Sequence, residues 1–84
     1  MDYFKTVEAL FEKLMTELSG VFSDYEISLI KKYIYAGENA LALETIVDII
    51  EEEKKPVTLE MKSLIKELGN VMQLDPHVYI NRLP

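Results

Sequence analysis

Apolar residues recur along this chain at spacings of three and four, and nowhere does a period of two persist. Phe4, Val7, Leu10, Phe11, Leu14, Met15 and Leu18 fall in one narrow stripe, which predicts an amphipathic helix over about residues 3–18. Asp2 stands at the N-cap position, and Gly20 offers a residue able to take the left-handed conformation that closes a helix. Ser23 followed three residues later by Glu26 has the spacing of a capping box, so a second helix opens there, buries Ile27, Ile30 and Ile34, and stops at Gly37. The connection Gly37-Glu38-Asn39 is short enough that the next helix should return antiparallel, burying Leu43, Ile46, Val47 and Ile50.

Pro56 cannot extend a helix and biases Lys55 away from helical angles, so the third helix ends before it. Thr58 can cap a fourth helix with Met61, Leu64, Ile65, Leu68 and Met72 inward. Gly69 lies inside that pattern at a cost of about 1 kcal/mol relative to Ala, which predicts either close packing at that point or an early helix end. Asp75-Pro76 reads as an N-cap followed by proline at the first helical position, opening a short terminal turn through Val78 and Leu83. Tyr3 and Tyr33 are expected to cap the edge of the core with their hydroxyls in water, and Met15, Met61 and Met72 to fill it. The expected fold is all-α: a small antiparallel four-helix bundle with a short C-terminal helical turn, in one domain over residues 1–84.

Size and composition narrow the function. A chain of 84 residues buries only about 60–65% of its unfolded surface, and with no cysteine it must hold its fold by helix packing alone. Acid at Asp2 and charges throughout the first helix leave no secretory or membrane-spanning run, so a cytoplasmic location is expected. His77 is the sole histidine, and there is no Gly-rich phosphate loop and no calcium-loop pattern. No enzyme, cofactor or metal site is therefore expected, and His77 reads as a surface residue near a helix start.

Charge carries the functional signal. Of the formal net charge of −6, all is accounted for between Tyr33 and Glu53, where six acids (Glu38, Glu44, Asp48, Glu51, Glu52 and Glu53) occur with no Lys or Arg. Glu44 with Asp48, and Asp48 with Glu52, are like-charge pairs at i, i+4, each costing a helix about 0.2–0.5 kcal/mol; only Glu51 has a lysine, Lys55, at the compensating spacing. On that count Asp48→Lys should stabilise the helix by a few tenths of a kcal/mol. A one-sided face without partners suits a basic ligand, with Glu38, Glu44, Asp48, Glu51 and Glu52 as its contacts, although a charge run can also be a merely solvated face. Tyr25 and Tyr35 lie off the Ile27–Ile30–Ile34 stripe and are candidate interface anchors, and because the acidic face begins just beyond Gly37 from Tyr35, that tyrosine and the acids could form one continuous patch. An acidic chain has no electrostatic reason to bind nucleic acid directly or an anionic membrane.

The segment Tyr35-Ala36-Gly37-Glu38-Asn39-Ala40-Leu41-Ala42-Leu43-Glu44, then Asp48, Pro56-Val57, Glu67-Leu68-Gly69 and Leu74-Asp75-Pro76, resembles small helical immunity proteins of the MafI kind. The resemblance covers roughly residues 24–76 and leaves the first helix outside. Such proteins accompany polymorphic and contact-dependent growth-inhibition toxins (the CdiI-like immunity proteins among them), which are often nucleases of the EndoU type. The resemblance thus implies a small, acidic, cytoplasmic, non-enzymatic chain whose partner is a basic RNA-cleaving domain, and the expected function is to neutralise that cognate nuclease toxin by covering its basic substrate cleft. The rival expectation is a small helical adaptor or assembly protein that docks on, or oligomerises with, a helical partner.

Overall fold

The computed structural model describes residues 2–84. Its elements are helices in the order α1 (Tyr3–Leu18), α2 (Asp24–Tyr35), α3 (Asn39–Glu53), α4 (Leu59–Val71) and α5 (Pro76–Ile80), with no strand among the described residues. Four of the N-termini form as the side-chain chemistry dictates, the first with Asp2 Oδ1 accepting from the Phe4 N–H at 2.9 Å. Ser23 Oγ accepts from the Glu26 N–H at 3.1 Å while Glu26 Oε1 accepts from the Ser23 N–H at 2.8 Å. Thr58 Oγ1 accepts from the Met61 N–H at 3.1 Å, and Asp75 Oδ1 accepts from the His77 N–H at 3.0 Å with Pro76 in the first helical position.

The C-termini follow a rule that glycine only partly marks. In α2, α3 and α4 the chain turns through a left-handed residue while the next N–H donates to the carbonyl five residues back, closing a six-to-one ring: Glu38 to Tyr33 at 2.9 Å, Lys55 to Ile50 at 3.0 Å and Leu74 to Gly69 at 2.8 Å. The left-handed residues are Gly37, Lys54 and Gln73, with φ of 77°, 52° and 59°. The expectation for Gly20 fails: α1 closes through Ser19 in right-handed geometry, with Ser19 Oγ donating to the Thr16 carbonyl at 2.7 Å, and Gly20 takes no positive φ. A side chain in left-handed geometry costs about 1–2 kcal/mol, and glycine relieves this while losing more chain entropy on folding. Lys54→Gly and Gln73→Gly should therefore each raise stability by about 0.5–1 kcal/mol, read as a higher urea midpoint at unchanged slope. A lower midpoint for both would contradict the strain argument.

The principal helix contacts are α1 with α4, α4 with α5, and α2 with α3. Buried residues from α1 to α4, together with Phe22 from the α1–α2 connection, form one hydrophobic cluster, and no polar or charged residue is buried among them. Gly69 shows why α4 carries a glycine: an added Cβ would stand 3.4 Å from both Cα and Cβ of Pro76, so the α5 entrance lies directly against α4. The radius of gyration, 11.6 Å, is what a collapsed chain of this length should have, about 12 Å.

Two expectations about the apolar pattern fail. Phe4 is 74% exposed, because burial in α1 begins only at Val7; its ring instead meets Tyr3 edge-on with centroids 5.3 Å apart. Tyr3 accordingly stands off the core edge, while Tyr33 does pack against the core. In α2 only Ile30 is fully buried, whereas Ile27 and Ile34 stay half-open. Among the described residues no helix is long and apolar enough to cross a membrane.

Candidate partner-binding surface

The acids of α3 divide into an answered and an unanswered set. Arg82, the sole arginine, folds back from beyond α5: its Nη2 donates to Asp48 Oδ1 at 2.5 Å and to Glu51 Oε1 at 2.9 Å, and its Nε donates to Glu51 Oε1 at 3.2 Å. This overturns the premise that the face has no cationic partner. Asp48 and Glu51, one turn apart on the same side of α3, present their carboxylates together, and a guanidinium has donors spaced to take both. The pairing lay outside any local pattern because it joins residues 31 and 34 positions apart.

Tyr79, one turn before Arg82, places α5 along the same face. Partial burial pushes its phenol above the usual value; the charges of Glu44 and then Asp48 push the same way, and Arg82 opposes them. Arg82 itself is held firmly charged, chiefly by its hydrogen bonds to Glu51 and Asp48. Glu44, Asp48 and Glu51 are thus gathered around the C-terminal segment, but only Asp48 and Glu51 pair with it, while Glu38, Glu44, Glu52 and Glu53 are exposed and make no ion pair among the described residues. Arg82→Ala should cost stability only about 0–1 kcal/mol, because the pairs are largely solvated, and should move the Tyr79 titration further up by removing the one opposing charge. Asp48→Lys changes sign relative to the helix-only argument: it sets a lysine beside Arg82 and removes an ion pair, so it should destabilise. A downward shift of Tyr79 in Arg82→Ala would contradict the geometry.

Lys55 does not serve Glu51. Lys54 breaks the helix, so the i, i+4 relation no longer holds, and the Lys55 ammonium lies 3.1 Å from Glu26 Oε1 and 5.6 Å from the Phe22 ring centroid. The carboxyl of Glu26 is held below its ordinary 4.5, first by the Ser23 backbone N–H and then by Lys55, against the opposing effect of burial. A depressed folded value means that this stabilisation is complete above about 4.5 and is lost as pH falls through the folded value. The melting difference between wild type and Glu26→Gln should therefore be largest near neutrality and shrink below about pH 4.5; a constant difference across that range would contradict it.

Tyr25 and Tyr35 are 77% and 82% exposed, as interface anchors must be. They sit at opposite ends of α2, about 15 Å apart along its axis, so only Tyr35 adjoins the connection that leads into the acidic face. Tyr35 precedes the turn into Glu38 and stands on the rim of a groove between α1 and α2; Tyr25 lines no part of that groove. His77 is exposed, and no three His, Asp or Glu residues among those described gather closely enough to hold a metal ion.

No family model, characterised protein or solved structure matches this chain.

Proposed function

We propose that this chain is an immunity protein, without enzymatic activity, that binds a cognate nuclease toxin and covers its basic substrate cleft. The observation that carries the reading is the charge imbalance on α3 and the turn before it, where six carboxylates meet one returning guanidinium. Glu38, Glu44, Glu52 and Glu53 remain exposed toward solvent, and charge left over after internal pairing is what steers a basic partner into contact. Arg82 fits the same scheme as an internal stand-in, occupying Asp48 and Glu51 in the way a partner's arginine would. The short α2–α3 connection favours an antiparallel arrangement of α1 to α4 as the scaffold.

The test is co-purification with the product of a neighbouring toxin gene, followed by RNA cleavage by that product with and without the chain. A stoichiometric complex that abolishes cleavage, at a cytoplasmic site of action, is expected. Full cleavage in the presence of a stable complex would defeat the cleft-covering mechanism, and no complex would defeat the function.

A further inference from the structure

The half-open stripe of α2 has a counterpart on α1. The two helices are not among the principal packing pairs, and between them lies a groove of about 770 Å³. Its floor is apolar: Phe11 and Met15 from α1, Ile27 and Ile34 from α2. Along α1 the lining runs from Glu8 to Ser19 on one face, about 16 Å or three helical turns. Its edges are charged with opposite sign, Glu8 and Glu12 one turn apart on the α1 side and Lys31 on the α2 side, with Tyr35 exposed at one end.

We infer that this groove receives an amphipathic helix of a partner protein, about three turns long, with Lys or Arg along the edge facing α1 and an acid along the edge facing Lys31. An occupant with apolar residues at i, i+3 or i+4, and i+7 seats one row of side chains over Met15, Ile27 and Ile34, completing the burial that the chain itself gives only to Ile30. The edge charges fix direction as well as sign, because reversing the occupant end for end sets its bases against Lys31. Tyr35 closes over the end as a rigid aromatic contact. A second copy of this chain fits less well: two grooves laid face to face leave the concavity unfilled, and two acids for each lysine on the edges leave negative charge unpaired across a symmetric contact. The inference stands apart from the nuclease reading, since it concerns α1 and α2 and leaves α3 free.

A displayed library of helical peptides, apolar at the seating positions and randomised along both edges, tests it against the full chain. Selected peptides should carry Lys or Arg on one edge and Asp or Glu on the other. Fluorescence anisotropy should show them bound at least ten-fold more weakly by Glu8→Lys/Glu12→Lys and by Tyr35→Ala, with Glu60→Lys unchanged as an equally exposed control. All these positions are exposed, so unchanged melting is expected and binding is read on folded protein. Failure to enrich any binder, a selected pool without the edge charge pattern, equal affinity for the groove variants, or a dimer in sedimentation that Tyr35→Ala dissolves would each overturn the proposal. Reversal of Glu44 and Glu52 should leave peptide binding intact, which separates failure of this groove from failure of the α3 surface.

Discussion

Glu44→Lys combined with Glu52→Lys is expected to slow association with a basic partner about ten-fold or more at low salt, and to flatten the salt dependence of the rate. Both carboxylates are exposed on α3, and neither makes an ion pair among the described residues, so their reversal changes the field that meets a partner with little change in packing. The control is the same charge change elsewhere, Glu60→Lys with Glu67→Lys on α4, where both acids are also exposed. If only overall charge mattered, the two pairs would slow association equally. A local effect requires the α3 pair to act much more strongly, because at about 0.1 M salt charges are screened beyond roughly 10 Å. Stopped-flow association at low and high salt provides the measurement, and equal rates for the two double variants would remove α3 as the steering surface. Asp48 and Glu51 are poor choices for this experiment, since reversing either also takes a partner from Arg82.

What could be read from the sequence was whatever is local. The capping box at Ser23 and Glu26, the Thr58 cap and the Asp75-Pro76 entrance each depend on residues within three positions of one another, and each forms. Gly69 was legible as either a place of close approach or an early helix end; the structure shows the first, and that Pro76 is what approaches was not legible. The helix ends at Lys54 and Gln73 were not legible, because neither residue type favours the left-handed geometry that the closing backbone ring requires. Pro56 placed the end of α3 within a few residues while the actual stop is a backbone motif upstream of it.

On the acidic surface, composition located the carboxylates but could not locate their answer. A sole arginine placed two residues before the last position of the sequence gives no local signal of a pairing with Asp48 and Glu51. The one available hint was that Asp48 and Glu51 present adjacent carboxylates on α3, a geometry matched to a guanidinium better than to a lysine. The groove was hidden for the opposite reason. Periodicity marks Ile27, Ile30 and Ile34 as equivalent, and only the relative placement of α1 and α2 leaves the outer two half-covered.

The same limit of periodicity gives the sharpest stability contrast. Phe4 and Leu14 belong to one stripe in the sequence, yet Leu14 is fully buried and Phe4 is 74% exposed. Leu14→Ala should cost about 3–5 kcal/mol, the lost transfer energy plus a cavity that close-packed neighbours only partly fill. A small domain has only about 5–15 kcal/mol in total. At about 4–8 °C per kcal/mol for this size, the melting temperature should fall by tens of degrees. Phe4→Ala removes a larger side chain but uncovers nothing in the core, so it should stay within about 0.5 kcal/mol of wild type. Because α1 has α4 as its principal packing partner and supplies one wall of the groove, Leu14→Ala should also weaken groove binding as it loosens that helix, whereas Phe4→Ala, outside the groove lining, should not. Thermal melts followed by circular dichroism check the first contrast and peptide titration at 10 °C the second. Similar melting losses for the two variants would mean that the N-terminal turn packs on the core after all, and that the stripe was the better guide.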